Sequence, residues 1–331
     1  MQKRANHVRT LLGLVTSGAL VCVGCGDDGS GEGGGSSTSS ASSTVASTAS
    51  SAATTNASSS SGGPITDDFV AGGARPVTVK VPSSYDPATP APLLILLHGY
   101  TGSGMVQDLY FGMTAVAEAR GIVYAHPDGT VDQGDQQFWN ATDACCDFYG
   151  SGVDDVAYLS GLVDEIVSKV TIDPKRIYFV GHSNGGFMSY RMACEASDRV
   201  AAIVSLAGAN WLDGADCGAT SPVSVAQIHG DMDDTILIGG GMNINAYPSA
   251  AESTAYFAGV NGCDAALASG GPDIDLESTL AGDETTVEAY PNCEPGRAVE
   301  LWTIVGGSHV PSLSPTFSDQ VVDFLLAHPK P

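Results

Sequence analysis

The segment 181–185 has the sequence Gly-His-Ser-Asn-Gly and fits the pattern G-x-S-x-G, in which the serine can act as a nucleophile. The bare pattern is weak evidence in a chain with 41 glycines, so its surroundings matter. An apolar run, residues 176–180, precedes it and predicts a strand, and a run with helical periodicity follows from Gly185. A strand–turn–helix setting exposes the serine hydroxyl in a tight turn. We therefore predict that Ser183 is a catalytic nucleophile.

A base and an acid that could activate this serine follow it along the chain. A serine hydroxyl becomes reactive when a base removes its proton, and in this setting the partners come in the order serine, acid, histidine, each after a strand. An apolar run ends four residues before His309, which we predict to be the base. Another ends just before the acidic loop, where Asp233 is preferred as the acid. Asp231 and Asp234 stay open, because spacing alone cannot separate neighbours on one loop.

The remaining histidines are given other roles. His328 competes as the base, but it lies at the end of a predicted C-terminal helix and is interpreted as a surface residue. His182 and His229 flank the predicted catalytic turns and are interpreted as packing or turn residues. The acidic loop offers no octahedral set of oxygen ligands, so we expect no metal there.

The tetrahedral intermediate of acyl transfer requires N–H donors for its oxyanion. The residue after the nucleophile supplies one, which is the backbone N–H of Asn184, and a loop after an early strand supplies the other. The apolar run 93–97 leads into such a loop, His-Gly-Tyr-Thr-Gly-Ser-Gly. We predict Tyr100 N–H as the second donor, with Thr101 as the second choice.

The elements that must position these residues alternate between strand and helix. Several strand-like runs are apolar throughout, as in parallel strands covered on both faces, and the alternation predicts a doubly wound, mostly parallel α/β sheet. Sites in such sheets form at the carboxyl ends of the strands. The polar segment 264–286 is predicted to be an excursion between elements. The predicted strands are 77–81, 93–97, 122–126, 176–180, 202–206, 223–228 and 299–305, and the predicted helices are 107–119, 154–170, 185–195, 250–259 and 315–326.

The chain has 331 residues and divides into three predicted parts. Residues 1–25 predict an export signal, because a basic start precedes an apolar run that is too short for a permanent membrane span. The segment 21–25 resembles a bacterial lipobox, so Cys25 is a predicted site of lipidation and a membrane tether. Residues 26–63, rich in Ser, Thr, Ala and Gly, predict a disordered linker. Residues 64–331 have the size of one catalytic domain.

Charge and cysteine content limit the function further. The formal net charge of −24 disfavours nucleic-acid binding, because an acidic surface repels phosphate backbones. Beyond Cys22 and Cys25, six of the eight cysteines remain, which predicts disulfides in an exported protein. Among these six, no C-x-x-C spacing argues for zinc. We expect a monomer at the cell surface or outside the cell.

The motifs together resemble the polyhydroxybutyrate depolymerase and feruloyl esterase family, which includes acetylxylan esterases. The resemblance implies an α/β-hydrolase fold, an exported carboxylic-ester hydrolase without a cofactor, Asp233 as the acid, and a Cys263–Cys293 disulfide. Cys194–Cys217 with a vicinal Cys145–Cys146 is then one pairing of the rest, and others stay open. The motifs that support the resemblance are 97–100, 126–129, 138–140, 145–146, 152–156, 181–186, 229–233 and 306–309.

Two stretches depart from the commonest family pattern, Val310-Pro311-Ser312 after the histidine and 236–238 after the acid. Both are expected to border the substrate pocket, and Val310 is a candidate substrate-binding residue. Thr101 and Trp139 are further candidates. The favoured substrates are feruloyl or acetyl esters of plant polysaccharide. The alternative function is a polyhydroxybutyrate depolymerase. A peptidase is less favoured, and the distant alternative is a surface binding protein without catalytic activity. The aromatic residues Phe138, Trp139, Phe148 and Tyr149 form either a wall beside the site or part of the core.

Overall fold

The computed structural model describes residues 65–331. The predicted signal, its Cys25 and the predicted linker 26–63 lie outside the described residues. Among residues 65–331, none of the helices combines the length and the apolar character needed to cross a bilayer.

Strands and helices alternate along the described chain. The strands are β1 (Phe69–Ala71), β2 (Val77–Val79), β3 (Ala91–Leu97), β4 (Val123–Ala125), β5 (Thr130–Val131), β6 (Gln137–Phe138), β7 (Ile172–His182), β8 (Ala202–Leu206), β9 (Ser224–Gly230), β10 (Gly241–Met242), β11 (Ala246–Tyr247), β12 (Ala268–Ser269), β13 (Thr285–Ala289) and β14 (Val299–Ile304). The helices are α1 (Gly104–Phe111), α2 (Met113–Ala119), α3 (Asp155–Lys169), α4 (Asn184–Glu195), α5 (Gly214–Cys217), α6 (Ala250–Val260) and α7 (Phe317–Ala327).

Eight of these strands form one twisted sheet in the order β12-β13-β14-β9-β8-β7-β3-β4. The six strands from β14 to β4 are parallel, and β12 and β13 extend one edge in the antiparallel sense. The parallel strands bring their carboxyl ends to one edge, which is where Ser183, Asp233 and His309 follow β7, β9 and β14. The predicted doubly wound, mostly parallel sheet is confirmed.

Both faces of the sheet are buried, and strand β3 illustrates the reason. Side chains alternate between the two faces of a strand. Leu93 and Ile95 accordingly pack in the core on one face, and Leu94 and Leu96 pack in the core on the other. All four are fully buried. A continuous apolar run is therefore what a central strand of this sheet requires.

The structure corrects two predictions about elements. The predicted helix 107–119 is two helices, because Gly112 adopts a left-handed conformation with φ 67° and ends α1. The predicted excursion 264–286 contains β12 and the start of β13. Strand β12 is exposed and β13 is mostly only partly buried, so both lack the apolar runs on which the strand predictions were based.

Candidate active site

Ser183 lies in a tight turn between β7 and α4, with φ 54° and ψ −121°. This backbone conformation is strained for a residue with a side chain, and such strain is concentrated at functional sites. The turn also brings backbones into close contact. A Cβ at Gly181 would collide with the carbonyl of Gly185, and a Cβ at Gly185 would collide with the carbonyl of Leu97. Glycines at these two positions therefore allow β7, α4 and the end of β3 to approach one another.

The predicted base and acid lie within hydrogen-bonding distance of this serine. His309 Nε2 is 2.9 Å from Ser183 Oγ, and His309 Nδ1 is 2.8 Å from Asp233 Oδ2. The neighbouring aspartates lie elsewhere: Asp231 accepts a hydrogen bond from the backbone N–H of Gly306, and Asp234 is exposed. Among the three aspartates left open, the geometry selects Asp233 as the partner of His309.

The Asp233 carboxylate is held by four donors. Oδ1 accepts the backbone N–H groups of Thr235 and Ile236, each at 2.9 Å, and Oδ2 also lies 3.3 Å from His229 Nε2. Burial raises the pKa of Asp233, but the hydrogen bonds from His229 and His309 outweigh it and hold the pKa well below its ordinary value. Asp233 is therefore ionised and can stabilise the imidazolium form of His309.

His229 and His182 contact the predicted triad directly, which the sequence interpretation as packing or turn residues missed. The amide Nε2 of Gln227 donates to His229 Nδ1, so the proton of His229 is on Nε2, where it faces Ile236 O and Asp233. His182 Nε2 donates to the backbone carbonyl of His309 at 2.9 Å. Burial and the neighbouring His309 lower the pKa of His182 to about 4, so this ring is a neutral donor.

The loop after β3 is held in place around the predicted oxyanion donors. The ring of His98 lies between the carbonyl of Gly99 at 2.7 Å and the backbone N–H of Gly129 at 2.9 Å. Thr101 N–H donates to Gln137 O at 2.9 Å, which removes the second choice of donor. Within residues 65–331, Tyr100 N–H has no hydrogen-bond acceptor in the protein.

The first predicted oxyanion donor is equally open. Asn184 is the first residue of α4, and the first N–H groups of a helix have no partner inside it. The Asn184 side chain faces away and bonds both backbone groups of Trp139, accepting at 2.7 Å and donating at 2.8 Å. The turn between β7 and α4 is thereby fixed to the segment after β6.

A cleft of about 270 Å³ opens above Ser183 and His309. Thr101 and Val310 line it, where the sequence analysis expected substrate contacts. Trp139 does not, and its predicted substrate contact is wrong: the indole is fully buried and donates its N–H to His98 O at 3.1 Å. The cleft is lined by Gly99, Tyr100, Thr101, Gly102, Val106, Gln107, Tyr110, His182, Ser183, His309 and Val310.

The four aromatic residues whose role was open divide into two pairs. Phe138 and Trp139 are fully buried and belong to the core. Phe148 and Tyr149 are 45% and 49% exposed, and the Phe148 ring contacts the Tyr100 ring edge-on at 5.0 Å between centroids. Only the second pair extends the surface beside the cleft.

The six cysteines of the described domain form three disulfides. Cys263 pairs with Cys293, as the resemblance implied, and the open pairing is Cys194–Cys217 with the vicinal Cys145–Cys146. Within residues 65–331, no three His, Cys, Asp or Glu side chains are grouped to hold a metal ion.

The loops that carry the acid and the base are in direct contact. A Cβ at Gly230, the last residue of β9, would collide with the backbone carbonyl of Gly307. Met232 N–H also donates to Gly307 O at 3.0 Å. The relative position of Asp233 and His309 is therefore set by backbone contacts as well as by their own hydrogen bond.

Comparisons with known proteins relate this chain to esterases. A family model described as phospholipase/carboxylesterase matches residues 79–256. Feruloyl esterase B of Piromyces equi is 32% identical over 245 residues, which are 71% of this chain and 42% of that protein. Putative esterase NocK of Nocardia uniformis is 32% identical over 166 residues, 50% of this chain and 46% of that protein. The chain thus spans less than half the length of these two relatives.

Two further matches cover a larger share of the matched protein. Feruloyl esterase D of Neurospora crassa is 26% identical over 255 residues, 73% of this chain and 76% of that protein. The solved acetyl xylan esterase from Aspergillus awamori superposes with a TM-score of 0.56 at 15% identity, covering 78% of this chain and 98% of that one. At this identity the superposition supports a shared fold alone.

Proposed function

Because the chain belongs to the phospholipase/carboxylesterase family of α/β hydrolases, we propose that it cleaves carboxylic esters through an acyl-enzyme on Ser183. The α/β-hydrolase fold agrees with the sequence prediction and is confirmed. The match to a carboxylesterase family and the similarity to feruloyl esterases support the predicted class of serine ester hydrolase, which is a proposal for this chain. The observation that supports the mechanism is the continuous hydrogen-bonded chain from Ser183 through His309 to Asp233.

Each of these three hydrogen-bonded residues has one role in the proposed mechanism. His309 Nε2 accepts the Ser183 proton while Oγ forms a bond to the ester carbonyl carbon. The backbone N–H groups of Asn184 and Tyr100 stabilise the oxyanion. The imidazolium, stabilised by Asp233, then donates its proton to the departing alcohol. A water molecule, deprotonated by His309, next attacks the carbonyl carbon of the acyl-enzyme, which releases the acid and regenerates Ser183.

The proposed substrates are acetyl or feruloyl esters of plant polysaccharide. Relatives named as feruloyl esterases, and one named as a bifunctional acetylxylan esterase/xylanase, support this class. The cleft is compatible with a small acyl group, because Val106, Tyr110 and Val310 give it an apolar side.

A second candidate is a polyester such as polyhydroxybutyrate, which one surface feature favours. Met105, Val106 and Leu109 on α1 are 75%, 60% and 84% exposed, and Val106 lines the cleft. An exposed apolar patch of this kind suits contact with a hydrophobic surface.

We propose that the enzyme acts outside the cytoplasm. Three disulfides support export, because such bonds persist in oxidising compartments. The tether through a lipidated Cys25, and the monomeric state, stay predictions. Labelling of Cys25 with a palmitate analogue in a bacterial host, compared with Cys25→Ser, tests the tether.

Fluorophosphonate labelling and hydrolysis of p-nitrophenyl acetate test the reaction. We expect labelling and turnover in the intact protein and neither in Ser183→Ala. An intact protein that folds but neither labels nor cleaves this ester would falsify the esterase proposal.

Rates on methyl ferulate, acetylated xylan and polyhydroxybutyrate film test the substrate class, and we expect the film to be the poorest substrate. Rapid clearing of the film with no activity on the other two would favour the second candidate.

A further inference from the structure

Two adjacent aromatic side chains, Phe148 and Tyr149, are exposed on the loop that follows the Cys145–Cys146 disulfide. Exposed large apolar side chains beside a cleft indicate a binding surface more often than isolated ones do. The loop is well fixed, since the Asp147 carboxylate accepts the backbone N–H groups of Ser151 and Gly152 at 2.8 and 2.7 Å. The two rings are therefore presented without a large ordering cost on binding.

Tyr100 connects this loop to the reacting centre. Its ring meets the Phe148 ring edge-on, its hydroxyl donates to Asp132 Oδ2 at 2.8 Å, and its side chain lines the cleft. Burial, and then the bond to Asp132, raises the pKa of Tyr100 to about 12, so the hydroxyl stays a neutral donor. The same residue presents its open backbone N–H on the loop of the proposed oxyanion site.

The hairpin of β5 and β6 completes the surface. Asp132 Oδ1 accepts the N–H groups of Gly134 and Gln136, which fixes the hairpin turn. The turn packs against the second exposed ring, because a Cβ at Gly134 would lie 3.1 Å from the Tyr149 hydroxyl. Three aromatic rings and one carboxylate thus form a continuous surface that begins at the cleft.

We propose that Tyr100, Phe148 and Tyr149 form a sugar-binding platform that holds the carbohydrate on the alcohol side of the ester, an inference that rests on the proposed esterase function. Aromatic faces carry partial negative charge and attract the C–H faces of a sugar ring. The Asp132 carboxylate and the Tyr149 hydroxyl are suited to the hydroxyl groups at its edge. The platform is open to solvent, which suits a polymer chain that continues beyond the enzyme.

Relative rates on two acetyl esters test the platform. The quotient to compare is kcat/KM on acetylated xylo-oligosaccharide divided by kcat/KM on p-nitrophenyl acetate. We expect this quotient to fall about 5- to 10-fold in Phe148→Ala and in Tyr149→Ala, mainly because KM for the oligosaccharide rises. Phe148→Tyr should restore most of it. Val167→Ala is the matched control, since Val167 is 45% exposed on α3 and outside the cleft, and it should retain the quotient.

Two results would overturn the assignment. Quotients in both aromatic variants equal to that of Val167→Ala would remove the platform. A fall on methyl ferulate instead, relative to p-nitrophenyl acetate, would assign the rings to the acyl group.

Calorimetric binding of unesterified xylohexaose separates this proposal from the esterase proposal, because it requires no turnover. Binding by the wild type that is lost in Phe148→Ala would support the platform even in a protein that cleaves no ester. Equal binding by both proteins would count against it.

Discussion

The four hydrogen bonds around Asp233 explain why this carboxylate, and neither of its neighbours, can support His309. Two come from backbone N–H groups of its own loop and two from imidazole rings. Together they offset the cost of burying the charge in a site where Asp233 is only 5% exposed. Asp231 and Asp234 are both exposed, and their environments supply no comparable set.

We expect Asp233→Asn to lower kcat about 10³- to 10⁴-fold, because an amide would favour the wrong tautomer of His309. Asp234→Asn is the matched control and should change kcat less than twofold, since Asp234 is exposed. Steady-state kinetics on p-nitrophenyl acetate measures both. If Asp231→Asn had the large effect instead, the acid would be misassigned.

His182 links stability to pH. Burial and the proximity of His309 lower its pKa to about 4, below the ordinary 6.5 of the unfolded chain. Between these values the unfolded chain binds a proton that the folded protein excludes, so stability is lost as the pH falls. From pH 6.5 to 4.5, the unfolding free energy of the wild type should fall roughly 2 kcal/mol more than that of His182→Gln. Urea denaturation at both pH values checks this, and equal losses would contradict it.

The predictability of individual residues depended on how local their roles are. Ser183, Asp233 and His309 follow strands in a fixed order, so motif and order sufficed to nominate them. The role of His182 depends on a carbonyl 127 positions away, and no local pattern encodes that contact. Trp139 failed as a substrate contact because its burial is decided by tertiary packing.

At the scale of elements, central strands were predicted more closely than edges. Strand β8 has the predicted bounds, since its residues are buried on both faces and all except Ser205 are apolar. Strand β13 was missed because it lies next to the short edge strand β12, and most of its residues are partly exposed. The break between α1 and α2 was missed because helical periodicity continues through Gly112, while the φ of 67° there ends the helix.

A pair of glycine substitutions tests this account of the helices. Gly112→Ala should lower the unfolding free energy by about 1–2 kcal/mol, because a Cβ is strained at positive φ although the space is open. Gly161→Ala, in the interior of α3 and equally open, should raise it by about 0.5–1 kcal/mol. Urea denaturation measures both. A loss in both variants would indicate a packing effect instead.

At the scale of the whole molecule, two of the three disulfides in the described domain close long loops of the chain. Cys263–Cys293 closes a loop over a separation of 30 residues that includes β12 and β13, and Cys194–Cys217 spans 23 residues between α4 and α5. The even number of cysteines in the sequence predicts that disulfides form. Which cysteines pair depends on the folded chain.

We expect the double variant Cys263→Ala/Cys293→Ala to lose about 3 kcal/mol of unfolding free energy, because the open chain regains loop entropy. The same substitutions at 194 and 217 should cost a similar amount. The vicinal pair has a sequence separation of 1 and encloses no comparable loop, so its loss should be smaller. Denaturant unfolding of the three variants gives the order, and a largest loss at the vicinal pair would refute it.

The contact between Gly230 and Gly307 has a consequence for redesign of the proposed active site. The two loops after β9 and β14 lie backbone against backbone, without room for a methyl group between them. A transplant of residues 230–236 into a related scaffold must therefore be accompanied by residues 306–310 as one cassette. Mutant libraries that vary the length of one loop while the other stays fixed will mostly yield inactive enzymes.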